Sequence, residues 1–367
     1  MAYQALYRKY RPKQFNDFID QDFVKTILIN SIKNNKISHA YLFSGPRGIG
    51  KTSMAKIFAQ AINCLNFKDN DEVCEKCDNC IECENKTVDI IEIDAASNNG
   101  VDQIRELKNR INVVPDKLKY KVYIIDEVHM LTNSAFNALL KTLEEPPSHV
   151  IFILATTEFY EVPETIVSRC QCFNFNRISI DSLIKRLKYI ANQENIAIDD
   201  DAIREIAEYS NGGLRDAIGM LDKMHAFKED KINVDDFRKI NGLISNDDII
   251  DFYNDLKTKD FQKILDIISK ISDTGYDFKY FIEKLMIYTR NIIVNNFSEN
   301  KNEDVTSDIN LVYMLNELLY KLRDATNSKI LVEITVLDYI NQKNTINIKN
   351  KEEKVSNIEE KKNNCTT

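Results

Sequence analysis

The chain has 367 residues, of which 43% are apolar and 29% are charged, so it is long enough for two or three domains with sizeable cores. Its formal net charge of −8 excludes a uniformly basic nucleic-acid-binding protein but leaves room for a local basic surface, because charges more than about 10 Å apart are screened at physiological salt. No window approaches 18 consecutive apolar residues, and no signal-peptide pattern precedes the charged N-terminal segment, so we expect a cytoplasmic protein without membrane association.

The N-terminal segment combines basic and aromatic side chains. The cluster consists of Tyr7, Arg8, Lys9, Tyr10, Arg11 and Lys13. Its composition is compatible with a solvated arm and equally with an arm that packs near the base of a bound nucleotide. Apolar residues at helical spacing then predict a helix over about 22–34.

The next segment matches the phosphate-loop pattern G-x-x-x-x-G-K-[ST] at every fixed position. The match consists of Gly45, Pro46, Arg47, Gly48, Ile49, Gly50, Lys51 and Thr52. An apolar run over 40–44 precedes it and a helical segment follows it, which is the context that this loop requires. Glycines let backbone N–H groups approach phosphate oxygens, Lys51 can reach the β- and γ-phosphates, and the Thr52 hydroxyl can ligate Mg²⁺. The pattern therefore predicts nucleotide binding.

A cysteine cluster follows the loop helix. It consists of Cys64, Cys74, Cys77, Cys80 and Cys83. Disulfides are rare in cytosolic proteins, whereas this tight spacing suits tetrahedral thiolate coordination of Zn²⁺. Redox switching and an iron–sulfur cluster are competing interpretations. A tetrahedral site has four ligand positions, so one of the five cysteines is not a ligand, and spacing alone does not say which. The three cysteines elsewhere in the chain are interpreted as core or tail thiols: Cys170, Cys172 and Cys365.

Five apolar runs alternate with helical segments, at about 40–44, 88–93, 121–126, 150–155 and 170–175. This alternation predicts a mainly parallel sheet with helices on both faces. Ligands of such sheets bind beyond the carboxyl ends of the strands, where the polar motifs of this chain are expected. Between the second and third runs, Arg105, Lys108 and Arg110 form either a DNA-backbone patch or a solvated helix face.

Two carboxylates end the third run. Downstream of a phosphate loop, Asp126 is predicted to hold Mg²⁺ and Glu127 to orient and deprotonate the attacking water. At the end of the fourth run, Thr157 could bond the γ-phosphate or the water, although threonine is common in strands for its β-propensity alone.

Two arginines are further candidates. Arg169 either lies on the surface as an ordinary charge or reaches the ATP of a neighbouring subunit and offsets charge that develops in the transition state. Arg215, at the start of a later helix, either touches the γ-phosphate or forms an ordinary helix salt bridge.

After about residue 178 the strand signal stops. Helices are predicted over about 180–195, 200–210, 213–227 and 234–241, and a second all-helical block runs from about 245 to 341. The Lys-, Glu- and Asn-rich tail over 343–367 has few apolar residues and is predicted to be disordered.

These motifs together resemble the bacterial DNA polymerase III gamma/tau family, the ATPase of the replicative clamp loader. The resemblance covers about residues 1–340. Its segments are 7–12 (YRKYRP), 45–52, the cysteine cluster, 126–131 (DEVHML), 138–147 (ALLKTLEEPP), 155–158 (ATTE), 168–170 (SRC) and 213–216 (GLRD).

The resemblance implies an α/β fold of AAA+ type with four parts. These are a RecA-like parallel-sheet ATPase domain (1–178) with a zinc-binding insert (64–83), a helical lid (179–242), an all-α collar that assembles the loader (243–342) and the polar tail. ATP would bind between subunits, with Arg169 acting on a neighbour's nucleotide and Arg215 serving as the lid's sensor. The implied zinc ligands are Cys64, Cys74, Cys77 and Cys80, so Cys83 is the spare.

The implied function is ATP-driven loading of a sliding clamp onto primed DNA during replication, within the DNA-directed DNA polymerase III holoenzyme, a nucleotidyltransferase. The partners would be the other loader subunits in a hetero-oligomeric open ring. A loader subunit with a degraded phosphate loop is disfavoured, because Lys51 and Thr52 are intact. Longer family members carry a C-terminal extension that contacts the replicative helicase and the polymerase, whereas only a short polar tail follows the collar here, so the resemblance leaves these two contacts open. Two alternatives remain: another AAA+ motor, such as one for branch migration, and a scaffold subunit that binds ATP without hydrolysing it.

Overall fold

The computed structural model describes residues 3–67, 71–85, 87–98, 100, 111–228, 230–298 and 305–341. The chain divides into two compact units, residues 1–234 and 235–367. The prediction for Arg105, Lys108 and Arg110, the predicted disorder of the tail and Cys365 lie outside the described residues.

The first unit is built on a parallel sheet of five strands in the order β2-β3-β4-β1-β5. The strands are β1 (Ala40–Ser44), β2 (Ile90–Asp94), β3 (Lys121–Asp126), β4 (Val150–Thr156) and β5 (Gln171–Asn174). All five runs predicted from the sequence are strands, with ends displaced by at most two residues. Because every pairing is parallel, the carboxyl ends of the strands lie along one edge of the sheet.

The two faces of the sheet bury different side chains of the same strands. On one face Tyr41 and Phe43 pack with Phe58, and the ring centroids of Tyr41 and Phe58 are 4.8 Å apart. On the other face Leu42 packs in a cluster with Leu139. This alternation follows from the two-residue period of a strand, and it explains why β1 is apolar throughout although only alternate residues share a face.

Helices cover both faces of the sheet and form a separate group after β5. Among the described residues of the first unit, the α-helices are α1 (Leu6–Lys9), α2 (Asp22–Lys33), α3 (Lys51–Asn63), α4 (Asp78–Glu84), α5 (Asn133–Glu144), α6 (Glu164–Val167), α7 (Ile180–Gln193), α8 (Asp200–Tyr209) and α9 (Leu214–Phe227). Thr132 and Ser179 cap α5 and α7 by accepting backbone N–H bonds, which satisfies donors that a helix start leaves unpaired. Helices α7 to α9 pack against one another as the predicted group after the sheet.

Every element of the second unit in the part that the structure describes is a helix. They are α10 (Val234–Asn241, which begins at the boundary), α11 (Asn246–Thr258), α12 (Phe261–Asp273), α13 (Phe278–Ser298), α14 (Thr306–Leu322) and α15 (328–341). Their core includes Phe252, Phe281 and Leu315, all fully buried. Among the described helices of both units, none combines the length and apolar character needed to cross a bilayer.

Candidate active site

The phosphate loop joins β1 to α3 and requires glycine at two positions. Gly45 has φ +140°, and a Cβ there would lie 2.4 Å from the carbonyl oxygen of Phe175. Gly50 has φ +107°, and its Cβ would lie 2.9 Å from the ring of Phe18. Both backbone conformations favour glycine, so these two glycines set the shape of the loop.

Lys51 begins α3 and is only 6% exposed. Its Nζ donates to the carbonyl oxygens of Gly45 at 2.7 Å and Pro46 at 2.8 Å. Burial lowers the pKa of Lys51, while the charges of Glu127 and Asp126 oppose that shift. The ammonium group therefore lies inside the loop and beside two carboxylates.

Thr52 and Asp126 contact each other directly across the gap between the loop and β3. The Thr52 hydroxyl donates to Oδ2 of Asp126 at 2.7 Å. A hydroxyl and a carboxylate are oxygen ligands of the kind that Mg²⁺ prefers, and they lie together at the carboxyl edge of the sheet. The pair thus fits the predicted magnesium site.

Glu127 follows β3 in a left-handed backbone conformation, with φ 48° and ψ 49°. Its Oε2 accepts hydrogen bonds from the Thr157 backbone N–H at 3.2 Å and from the Thr157 hydroxyl at 3.0 Å. Nδ1 of His129 lies 3.5 Å from the same oxygen and 3.0 Å from the hydroxyl of Thr156. The sequence alone indicates no role for His129, whose one signal is its place two residues after Glu127.

A cavity of about 580 Å³ opens beside these groups. Its lining includes the loop, Asp126, Glu127, Arg215 and the aromatic residues Tyr7 and Tyr10 of the N-terminal segment. That segment is not a solvated arm: Leu6 N–H donates to Asp222 at 3.1 Å, and Tyr10 hydrogen-bonds Glu194. The arm is therefore part of the cavity wall.

Arg215 joins three parts of this wall. Its backbone N–H donates to the carbonyl oxygen of Gly48 at 3.1 Å, and its guanidinium carbon lies 5.2 Å from the centre of the Tyr7 ring. These contacts tie the first turn of α9 to the loop and to the arm.

Arg169 is placed differently. Its guanidinium donates to Oε1 of Glu144 at 2.5 Å and to the carbonyl oxygen of Thr165 at 2.6 Å. It is not among the described residues that line the cavity. The structure therefore brings Lys51, Thr52, Asp126, Glu127, Thr157 and Arg215 together, and it leaves Arg169 on the surface of the same chain.

The cysteine cluster lies at the end of α3 and the start of α4. The Sγ atoms of Cys64, Cys74, Cys77 and Cys80 all lie within 4.8 Å of one another, and those of Cys74 and Cys80 are 3.8 Å apart. Four thiolates on one Zn²⁺, with Zn–S bonds of about 2.3 Å, have sulfurs about 3.8 Å apart, so the arrangement fits a tetrahedral metal.

Two thiols of the insert differ in their environment. Burial by itself would raise the pKa of Cys74, but backbone N–H donors of Lys76 and Cys77 lower it to about 6. Burial raises the pKa of Cys83 to about 12, with nearby negative charge adding to the effect. Cys83 stands outside the group of four.

Three family models match consecutive parts of the chain. Residues 20–179 match the model described as "DNA polymerase III, delta subunit", residues 185–226 match "RCF1/5-like, AAA+ ATPase lid domain", and residues 232–325 match "DNA polymerase III subunits gamma and tau domain III". With the five-stranded parallel sheet, the lid match confirms the predicted fold class, an AAA+ α/β domain with a helical lid followed by an all-helical region.

Individual relatives cover most of the chain. The DNA polymerase III subunit tau of Bacillus subtilis is 45% identical over 80% of this chain and 52% of its own length, and that of Escherichia coli is 38% identical over 78% and 44%. The DNA polymerase III subunit gamma of Buchnera aphidicola subsp. Baizongia pistaciae is 35% identical over 93% of this chain and 98% of its own length. A solved structure of Thermotoga maritima RuvB is 21% identical, covers 68% of this chain and 80% of its own, and has a TM-score of 0.47.

The chain spans about half of the length of the two tau relatives and nearly all of the Buchnera gamma subunit. The Buchnera subunit is 35% identical over 93% of this chain, so the similarity extends through both units. The gamma and tau model matches residues 232–325, which begin near the start of the second unit. The chain belongs to the DNA polymerase III gamma/tau family.

Proposed function

We propose that this chain is an ATP-hydrolysing subunit of the clamp loader of DNA polymerase III. It uses ATP binding and hydrolysis, together with the other loader subunits in an open ring, to place a sliding clamp on primed DNA in the cytoplasm. The observation that carries the proposal is the convergence of Lys51, Thr52, Asp126 and Glu127 at the carboxyl edge of the sheet, beside a cavity of about 580 Å³.

Each of these groups has a chemical role in the proposal. Backbone N–H groups of the loop and the start of α3 bind phosphate oxygens, and Lys51 neutralises their charge. Thr52 and Asp126 would hold Mg²⁺, and the metal would supply further charge neutralisation for the triphosphate. Glu127 takes the proton of the attacking water, and Thr157 keeps the Glu127 carboxylate in place through its N–H and hydroxyl groups.

In this proposal the two arginines of one chain act on two different nucleotides. Arg215 reaches the nucleotide of its own chain, which is supported by its contacts with Gly48 and Tyr7 beside the cavity. Arg169 acts on the nucleotide of a neighbouring subunit. This role is supported by its position on the surface, outside the nucleotide cavity of its own chain.

Steady-state ATPase assays with and without primed DNA and clamp test the proposal. Substitution Lys51→Ala is expected to abolish ATP binding, because the loop loses its cation. Glu127→Gln is expected to keep ATP binding and to lower turnover by about 10²- to 10⁴-fold, the usual contribution of a positioned general base. DNA-stimulated hydrolysis by Glu127→Gln at the parent rate would show that the base is a different group.

The alternatives give different results in the same experiments. A scaffold subunit binds ATP but shows no stimulated turnover. A branch-migration motor forms a hexameric ring of one chain, whereas the loader forms an open ring with different subunits, and native mass spectrometry distinguishes the two assemblies.

We also propose a structural Zn²⁺ held by Cys64, Cys74, Cys77 and Cys80. The four mutually close sulfurs support it, and four thiolates leave no open position for water, so the metal stabilises the insert and takes no part in hydrolysis. About one zinc per chain is expected by elemental analysis. If the purified protein showed the optical spectrum of an iron–sulfur cluster, the zinc proposal would be wrong and the competing interpretation would hold.

The proposed domain organisation follows the sequence prediction, with an ATPase domain over 1–178, a lid over 179–242 and a collar over 243–342. The family-model matches over 185–226 and 232–325 support a division of the helical region into two parts.

A further inference from the structure

His129 lies behind the carboxylate of Glu127 and has no assigned role. Its side chain is 10% exposed, and its Nδ1 is 3.0 Å from Oγ1 of Thr156 and 3.5 Å from Oε2 of Glu127. Thr156 is itself fully buried at the end of β4, so its hydroxyl is fixed by the sheet.

The bonds of the Thr156 hydroxyl decide which way the hydrogen on His129 points. Oγ1 of Thr156 donates to the carbonyl oxygen of Glu158 at 3.2 Å and accepts the backbone N–H of Glu158 at 3.0 Å. A hydroxyl has one hydrogen and two lone pairs, so towards His129 it offers a lone pair. Nδ1 of His129 therefore carries the hydrogen of this bond to Thr156, and the same nitrogen lies 3.5 Å from Oε2 of Glu127, so the positive end of its N–H dipole is beside the carboxylate.

We propose that His129 is a positioning residue for Glu127. Its Nδ1–H group donates to Thr156 and attracts Oε2 of Glu127 from 3.5 Å, which adds to the two hydrogen bonds that the same oxygen accepts from Thr157. All three contacts are made to Oε2, which leaves Oε1 as the oxygen that receives the proton of the attacking water. This inference rests on the proposed ATPase function, and it adds His129 as a residue that orients the general base Glu127.

Positioning matters here because Glu127 follows β3 in a left-handed conformation and is only partly buried. About a third of its side chain is exposed, so the carboxylate could rotate between several orientations without fixed donors. A general base works only in the orientation that reaches the water, so donors on Oε2 raise the turnover number and leave ATP binding alone.

The test compares His129→Asn with His129→Gln in the full chain assembled with the other loader subunits, clamp and primed DNA. The amide nitrogen of Asn occupies the place of Nδ1, whereas that of Gln occupies the place of Nε2. Asn is expected to keep kcat within about threefold of the parent, and Gln to lower it by about tenfold or more, a fraction of the full effect of a general base. The Kd for ATP and the melting temperature of both variants are expected to match those of the parent.

A second measurement separates positioning from a general effect on folding. Adding His129→Gln to Glu127→Gln is expected to cause no further loss of kcat, because the histidine acts only through the carboxylate. Equal kcat values for the Asn and Gln variants, or a further loss in the double variant, would overturn the inference while leaving the ATPase proposal intact. A parent chain without ATPase activity would instead remove the proposed function and this inference with it.

Discussion

The nucleotide site and the cysteine cluster lie in the same compact unit, but different interactions hold them together. Residues of the nucleotide site are joined by hydrogen bonds within the chain, such as Thr52 to Asp126 at 2.7 Å, and they lie at the ends of buried strands or at the start of α3. The cysteine cluster is attached to the core by few apolar side chains, mainly Phe67, Val73 and Cys80. Hydrogen bonds within the chain therefore organise the first site, whereas the proposed Zn²⁺ would hold the loops of the second together.

Substitutions in the two sites are expected to affect different properties, activity in the nucleotide site and stability in the cysteine cluster. Removing a polar group from the nucleotide site leaves the sheet and its core intact, so the main loss is chemical. Removing one of the four proposed zinc ligands would leave the insert with little buried apolar surface to compensate, so the expected loss is mainly structural.

The largest expected effect is that of Cys77→Ser. Structural zinc sites of thiolate type contribute about 10–16 kcal/mol of apparent binding free energy in small peptides, and that contribution is lost with a ligand. Zinc content is expected to fall to a small fraction of the parent value, and limited proteolysis to cut within 64–83. The matched control is Cys83→Ser, which lies outside the group of four and is expected to retain the metal. Loss of zinc in the control with retention in Cys77→Ser would show that the ligand set is wrong.

A smaller effect is expected for Arg169→Ala, which tests whether the nucleotide site is complete within one chain. Arginines that reach a transferring phosphate from a neighbour contribute about 10³- to 10⁵-fold to turnover. Hydrolysis in the assembled complex is expected to fall by about 10³-fold or more, with the ATP affinity of the isolated subunit nearly unchanged. Weaker ATP binding by the isolated variant would contradict action on a neighbour.

A matched control for Arg169 is available in its own ion pair. Glu144→Gln removes the charge that holds Arg169 at 2.5 Å but keeps the arginine. Because the side chains of this pair are 31% and 48% exposed, the free energy of unfolding is expected to change by at most about 1 kcal/mol. A comparable loss of turnover in Glu144→Gln would indicate that the ion pair, and not the arginine alone, is required.

The smallest expected effect is that of Gly50→Ala on stability, which tests how far the loop is organised without a ligand. Gly50 has a left-handed φ of +107°, where a side chain costs about 1–2 kcal/mol. Gly219→Ala is the matched control, because it lies within α9 and an added Cβ meets no atom within 4 Å. Urea unfolding is expected to show destabilisation by Gly50→Ala and stabilisation of about 0.5–1 kcal/mol by Gly219→Ala. Equal changes in the two variants would mean that the loop conformation is not maintained in the free protein.

Much of the first unit could be predicted because its signals are local. A buried strand reads as an apolar run, and the phosphate loop depends on residues that are adjacent in the chain, so β1, the loop and α3 were predicted together. The interpretation of the N-terminal arm stayed open, because its packing depends on Asp222 and Glu194, which are about two hundred residues away in sequence. His129 was overlooked for a similar reason, since its partner Thr156 belongs to another strand.

The sequence by itself determined the fold class, the phosphate loop and the presence of a cysteine cluster, because periodicity, glycine placement and cysteine spacing are properties of short segments. Only the tertiary structure decided which four cysteines are mutually close, which side chains surround Glu127, and that Arg169 lies outside the cavity of its own chain. The physical reason is that these features are distances between segments far apart in the chain, which are set when the strands pair and the helices pack on them.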